Sequence, residues 1–351
     1  MTRLNIGIVG LGRLGKRHAQ NLCQHIANVR LIAAASPETH EQQYAQQTLN
    51  IPHVYTTLEE LLTTPELDAV VLATPTDQHA QQSIQVLQAG KHLLVEKPLA
   101  LNLADCQIVE KTYQQTQQRY PKQIAMVGFV RRFDPHYLAA KASIDAGKIG
   151  QPFYIRSQTC DKFDPSGFFV KFSQSSGGII LDCNIHDIDL ARWLLADKHG
   201  NAPTVRHVYA SGTCAKHPEL SKYQDVDNAI STIVFTNGQL ANLYASRTFA
   251  HGHETSSEII ATDGKLLVGL GAMRHAVIQS DAHGVTHHCF EDFFTRFEQA
   301  FINELQAFSN ACLGKIPPPL TLNDATEATR IAIALTQSLR SGQIQNLTPT
   351  P

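Results

Sequence analysis

The sequence has no long hydrophobic run: nowhere do apolar residues continue for the roughly 20 positions that a membrane-crossing helix needs. It has no excess of one charge either, with 29 basic against 31 acidic residues and a net charge of −2. That balance provides no basic field for nucleic acid or anionic lipid. Metal-type cysteine spacing is missing as well. The seven cysteines, an odd number scattered over 351 residues, read as reduced thiols rather than a disulfide framework. Most read as small buried hydrophobes, with Cys183 set apart because it lies inside a motif. The opening residues Met1-Thr2-Arg3-Leu4-Asn5 lead into a strand without the apolar stretch of a signal peptide. The expected setting is cytoplasmic, with neither membrane nor nucleic acid as partner. What is present is a 43% apolar chain, long enough for two packed cores.

The first half alternates strand and helix patterns. Leu4–Val9 reads as a strand, followed at once by Gly10-Leu11-Gly12-Arg13-Leu14-Gly15 and a helix over Arg17–Ile26. In that strand–loop–helix setting, Gly10 permits the tight turn, Gly12 lets a pyrophosphate approach, and Gly15 allows close helix–strand packing. The pattern predicts a dinucleotide site. The second strand, Val29–Ala35, ends at Ser36-Pro37-Glu38. An acid that would accept from the adenosine ribose is thus replaced by Ser36, and Glu38 or Arg13 becomes the candidate contact. The cofactor is read as NAD or NADP, with NAD favoured. Further strands over Asp68–Thr74, His92–Val95 and Gln123–Gly128 alternate with helices over Leu58–Leu62 and Gln78–Ala89. Ligands in such sheets lie beyond the carboxyl ends of strands, which places Thr74-Pro75-Thr76 and Glu96-Lys97-Pro98 at the cofactor.

From Phe129 the pattern changes. A helix over Asp134–Ala146 precedes consecutive strand patterns at Phe153–Gln158, Val205–Gly212, Ala229–Thr236 and Gln239–Arg247, with Asn237-Gly238 as a two-residue hairpin signal. Strands without intervening helices imply antiparallel pairing. The expected fold is an α/β Rossmann domain over residues 1–128, then an α+β substrate-binding and oligomerisation domain over 129–351. The second domain carries a large open, mainly antiparallel sheet. Its uncovered face predicts a homo-oligomer, a dimer or tetramer. The tail Asn346–Pro351 is short and polar and is expected to be loose.

Between those strands, Ser176-Gly177-Gly178 leads into Asp182-Cys183-Asn184-Ile185-His186-Asp187-Ile188-Asp189. On one helix Asp182, His186 and Asp189 would share a face at i, i+4 and i+7. A carboxylate one turn from an imidazole orients the ring and raises its basicity, as a general base requires. Seventeen histidines raise the question of metal. The closest pairs, His251-Gly252-His253 and His287-His288, lack the partners of a zinc motif, so no metal is expected.

Taken with Ala73-Thr74-Pro75-Thr76-Asp77-Gln78-His79, Val127-Gly128-Phe129-Val130-Arg131-Arg132-Phe133-Asp134 and Arg296-Phe297-Glu298-Gln299-Ala300-Phe301-Ile302-Asn303-Glu304, these motifs give the sequence its likeness. It resembles the Gfo/Idh/MocA oxidoreductases over nearly its full length, and within them the inositol dehydrogenases. The resemblance implies Lys97, Asp182 and His186 as catalytic residues. It implies Gly10, Gly12, Arg13, Leu14, Gly15, Ser36, Thr74, Pro75, Thr76, His79, Glu96 and Lys97 at the cofactor. Substrate hydroxyls would meet Lys97, Arg131, Asp182, His186, Asp189 and His253. Three departures stand out: Ser36 for an acid, His251 and His253 where tyrosines are common, and Phe301 where a tyrosine is usual. The implied activity is NAD(P)-dependent oxidation of a ring secondary alcohol of a cyclitol to a ketone. The alternatives are an aldose or pyranose dehydrogenase and a non-catalytic dinucleotide sensor.

Overall fold

The computed structural model describes residues 3–269, 273–282 and 284–347. The chain divides into two compact units, Met1–Phe133 with Gln299–Thr329, and Asp134–Glu298 with Arg330–Pro351. A single cut after residue 128 does not describe this division, because the segment from Gln299 returns to the first unit.

In the first unit the strands are β1 (Leu4–Val9), β2 (Val29–Ala35), β3 (His53–Tyr55), β4 (Ala69–Leu72), β5 (His92–Glu96) and β6 (Ala125–Gly128). They form one sheet in the order β3-β2-β1-β4-β5-β6, every pair parallel. Strands covered on both faces must be apolar throughout, and Ala69-Val70-Val71-Leu72 is buried at every position. The sheet reverses its direction of growth at β1, which pairs with both β2 and β4. The crevice beyond its carboxyl end is where such folds bind ligands. The helices are α1 (Arg13–Gln24), α2 (Thr39–Gln43), α3 (Leu58–Leu62), α4 (His79–Gln88) and α5 (Leu103–Arg119). The first begins four residues earlier than the sequence pattern suggested, because the glycine loop itself winds into its first turn. Gly10 makes that possible with φ of 83°. A Cβ on Gly15 would sit 1.9 Å from the Gly10 carbonyl oxygen, so only glycine fits there.

The second unit opens with α6 (Pro135–Asp145), whose N-terminus is capped by the Asp134 carboxylate accepting from the His136 and Tyr137 N–H groups. Then come β7 (Pro152–Lys162), α7 (Phe168–Ser176), α8 (Ile185–Leu194), β8 (Val205–Thr213), β9 (Asn228–Phe235), β10 (Leu240–Phe249), β11 (Glu254–Ala261) and β12 (Gly264–Val268). A hairpin of β13 (Met273–Asp281) and β14 (Gly284–Cys289), helices α9 (Phe293–Arg296), α10 (Glu298–Cys312) and α11 (Leu322–Ser341), and the short β15 (Gln345–Asn346) complete the chain. The large sheet runs β12-β11-β7-β10-β9-β8-β15, antiparallel except for the β7–β10 pair. One face buries Ile155, Ile233, Ala241, Leu243 and Ile259, with α8 packed against β7 and β10. The other exposes Tyr209, Ile230, Leu240 and Leu267.

One local expectation holds, with a different turn, and one is corrected. The β9–β10 hairpin forms, but only Gly238 is left-handed, with φ of 87°. Its N–H donates to the Phe235 carbonyl at 3.1 Å, a turn in which Asn237 needs no unusual conformation. The tail is not loose from Asn346, since Gln345 and Asn346 pair with Val208 and His207 of β8. Residues 348–351 of that tail lie outside the described residues.

Candidate active site

In the first unit a cavity of about 610 Å³ opens at the carboxyl ends of β1, β2 and β4, lined among others by Gly10, Gly12, Ser36, Glu41, Thr74 and Gln78. Its chemistry fits a dinucleotide. Gly12 precedes α1 without any side-chain cap, and the first turn holds no acidic residue. Those first-turn N–H groups therefore suit a phosphate. A Cβ on Gly12 would meet nothing closer than Glu41 Oε1 at 3.9 Å, so there is room for the approach. Arg13, exposed, and Leu14, half-buried, begin the helix beside this turn.

A carboxylate from outside the strand stands next to Ser36. Glu41 in α2 reaches back, and its Oε2 accepts from Ser36 Oγ at 2.6 Å and from the Leu11 N–H at 3.2 Å. Ser36 is buried, and its hydroxyl oxygen also accepts from the Glu38 N–H at 3.1 Å. Sequence reading passed over Glu41 because it lies five residues beyond the strand end. Its place in the first turn of a short helix starting at Thr39 was the available signal.

Other expected cofactor residues divide into lining and support. Thr74 and Pro75 line the cavity, with Thr74 Oγ1 donating to Gln82 Oε1 at 2.6 Å. Thr76 opens the short turn that leads into α4. His79 is buried behind the loop, with Nδ1 2.8 Å from the Pro98 carbonyl and Nε2 2.8 Å from the Thr74 carbonyl. Burial holds its pKa below the ordinary histidine value, against the pull of the two carbonyls. Both ring nitrogens thus face protein backbone, making His79 a bracket between two loops. Glu96 also points inward: Oε1 lies 2.7 Å from His18 Nε2, and Oε2 accepts from the Lys97 N–H at 3.2 Å. Lys97 follows directly, half-buried, with a cis bond to Pro98. Arg131 is buried in the turn Val130–Phe133 after β6, beside Arg132, which pairs with Asp324 at 3.2 Å.

In the second unit the single regular helix expected through Asp182, His186 and Asp189 is corrected. Residues Ile180–Asn184 form a wider turn with five-residue spacing, and the regular helix starts only at Ile185. The turn is fixed by its surroundings. Gly177 and Gly178 are both left-handed, and Asp225 Oδ1 accepts from the Ile179 N–H at 3.0 Å. His186 is half-exposed, whereas Asp189 is buried. The neighbouring Asp187 is fully buried and accepts from Ser157 Oγ and Thr159 Oγ1, both at 2.6 Å, which ties α8 to β7.

What organises this site is Arg247, a residue that sequence reading missed. It is completely buried, donates from Nη2 to Asp182 Oδ2 at 2.8 Å, and lies 4.9 Å above the Phe169 ring. Burial opposes its charge. The Cys183 sulfur and the carboxylates of Asp182, Asp225 and Asp161 nevertheless raise its pKa above the usual arginine value. The signal was an arginine following Ala241, Leu243 and Ala245 on the inward side of β10. Cys183, singled out from the sequence, is a buried cysteine outside any disulfide, its sulfur 3.8 Å from Arg247 Nη2. His253 is buried too, its Nδ1 3.0 Å from Asp161 Oδ1 and its ring edge-on to Phe293 and Phe297. Burial works against ionisation of Asp161, but His253 and Arg247 hold its carboxyl below the usual range. His251 separates from His253: it is exposed and 3.1 Å from Glu254 Oε2. His287 and His288 are exposed on β14.

Both units match one family. Residues 4–128 match the "Oxidoreductase family, NAD-binding Rossmann fold", and residues 137–267 match the "GFO/IDH/MocA C-terminal domain". The chain belongs to the Gfo/Idh/MocA oxidoreductases. Within this family it is 36% identical to the scyllo-inositol 2-dehydrogenase (NAD(+)) of Bacillus subtilis, over 97% of this chain and 95% of that one. It is 30% identical to the myo-inositol 2-dehydrogenase of Thermotoga maritima, over 96% of each. The crystal structure of scyllo-inositol dehydrogenase from Lactobacillus casei, with bound NAD(H) and scyllo-inositol, superposes with a TM-score of 0.91. That structure shares 33% identity, covering 98% of this chain and 99% of the other. As a Gfo/Idh/MocA oxidoreductase, the protein has the parallel nucleotide-binding sheet and the mainly antiparallel second sheet anticipated from the sequence. Among its described residues no helix is long and apolar enough to cross a membrane.

Proposed function

We propose that the protein is an NAD-dependent dehydrogenase that oxidises one ring secondary hydroxyl of a cyclitol, myo- or scyllo-inositol, to the ketone. One observation carries the reading: a dinucleotide cavity and a lysine at the next strand end occur in one chain with Asp182 and His186, in a family whose relatives act on inositols. The cavity lined by Gly10, Gly12 and Thr74 would hold NAD, which would supply the acceptor for hydride from the carbinol carbon. His186 takes the hydroxyl proton, and its half-exposed ring can pass that proton on to water. Lys97 donates to the same oxygen and stabilises negative charge developing there, a contribution often worth about 3 kcal/mol. Asp182 orients the imidazole, and Arg247 Nη2 holds Asp182 by donating to its Oδ2 at 2.8 Å. Arg131, Asp189 and His253 read the remaining hydroxyls. A stereoisomer that leaves one of these buried groups unpaired is rejected.

Cofactor choice follows from Glu41 and Glu38. Two carboxylates at the end of β2 accept from a ribose diol and repel a 2′-phosphate, which selects NAD over NADP. The exposed sheet face of the second unit is covered by another subunit in a dimer or tetramer, and the enzyme works in the cytoplasm. The test is initial rates with NAD and NADP against myo-inositol, scyllo-inositol and a set of aldoses. Lys97→Ala and His186→Ala should each lower kcat by roughly 10²- to 10⁴-fold. Near-normal turnover in either variant sinks the mechanism. An aldose preference would move the substrate to a pyranose, and cofactor binding without any turnover would make the protein a sensor.

A further inference from the structure

Glu304 is a buried acidic residue to which the mechanism gives no task. It lies on the inward stripe of α10, with Ala300, Phe301, Leu305 and Phe308, and is completely buried. Its neighbours within the first unit are His18 from α1 and Glu96 from β5. One ligand atom from each of the three residues falls within 4.8 Å of the other two. Phe301, one turn earlier on the same helix, sets its ring edge-on to His18 at 5.6 Å.

The two carboxyls differ in their donors. Glu96 has one for each oxygen, the His18 ring N–H and the Lys97 main-chain N–H. It is also hemmed in by Gly128, where a Cβ would stand 3.0 Å from Oε2. Glu304 has no N–H or O–H donor to either oxygen among the described residues. An ionised carboxylate without donors is among the costliest groups to bury, and a second negative charge beside it raises the cost. Glu304 is therefore the carboxyl less able to ionise, with a Glu96 oxygen within 4.8 Å of it. The Glu304 pKa lies well above the ordinary value in keeping with this, through burial first and the Glu96 charge second.

We propose that Glu304 and Glu96 form a buried proton-sharing pair which, with His18, fixes the backbone from which Lys97 reaches the substrate. Glu304 is thus a positioning residue for the reaction, and this step rests on the role given to Lys97 above. Without the Glu304 hydroxyl, the Glu96 carboxylate is free to rotate toward other donors, and the Lys97 N–H loses its fixed acceptor.

The test uses the whole protein. Infrared spectra of the wild type at neutral pH should show a protonated-carboxyl stretch that shifts in D2O and is absent from Glu304→Gln and Glu304→Leu. Glutamine still offers Glu96 a donor, so Glu304→Gln should keep kcat within about threefold and leave hydrogen exchange over the Glu96–Leu99 segment slow. Glu304→Leu should speed that exchange and lower kcat about tenfold, with KM and NADH affinity little changed. Exchange and the infrared band need no substrate, so they separate failure of the pair from failure of the dehydrogenase reading. A wild type without the band, or one retaining a stoichiometric divalent cation by elemental analysis, would overturn the proposal even if neither variant folds. Unchanged exchange and turnover in Glu304→Leu would overturn it as well.

Discussion

The two units bury charge in opposite ways. The first encloses two carboxyls and an imidazole, Glu304, Glu96 and His18, and balances them by retaining a proton. The second encloses a guanidinium, Arg247, and gathers the carboxylates of Asp182, Asp161 and Asp225 around it. A proton can be removed by raising the pH, whereas a guanidinium keeps its charge at any pH a protein survives. The first cluster is therefore disturbed by rising pH, and in the second rising pH leaves the cation in place.

The severest way to break this contrast is Arg247→Met. It removes the guanidinium bonded to Asp182 at 2.8 Å and leaves Asp182, Asp161 and Asp225 without its charge. A loss of about 3–5 kcal/mol in urea unfolding is expected, as for other buried pairs broken on one side. A loss below about 1 kcal/mol would mean that the acids do not depend on the guanidinium.

The pH dependence is the next largest effect, and its sign is fixed. In the folded state Glu304 has a pKa above that of the unfolded chain. Above the ordinary glutamate range the native protein holds one proton more than the unfolded one, so rising pH favours unfolding. Relative to Glu304→Gln, the wild type should lose about 1.4 kcal/mol per pH unit until the folded-state pKa is passed. Stability profiles of the two proteins that stay parallel as pH rises past the ordinary glutamate range would contradict this.

The smallest expected change in stability sharpens the comparison with a carboxylate that is neither enclosed nor short of donors. Glu41→Gln should alter stability by no more than about 0.5 kcal/mol. Fluorescence titration should instead show NADPH gaining about tenfold on NADH, because one of two negative charges at the ribose is gone. An unchanged ratio would shift the selection to Glu38.

Much of the first unit was legible because its strands are covered on both faces and must read as unbroken apolar runs, as in Ala69-Val70-Val71-Leu72. The glycine loop was legible for the same kind of reason, since Gly10 and Gly15 have no steric alternative. The site in the second unit was harder to read. Spacing arguments assume a regular helix, and the wide turn over Ile180–Asn184 is set by a contact to Asp225, 46 residues on in the chain. Arg247 and Glu304 left visible traces, each a charged residue on an otherwise inward row. Such a trace shows that charge is enclosed without naming its partner. The return of Gln299–Thr329 to the first unit left no trace of this kind, because a buried stripe does not say which core receives it.

That return has a consequence for how the protein is made. Glu304 and Phe301 belong to the nucleotide-binding unit but are translated after nearly the whole second unit has left the ribosome. Until then the His18 and Glu96 side chains lack their final cover. The earliest-synthesised part of the chain is thus among the last to be finished, and a fragment cut after Phe133 should emerge as an unsealed half-product rather than an independent module.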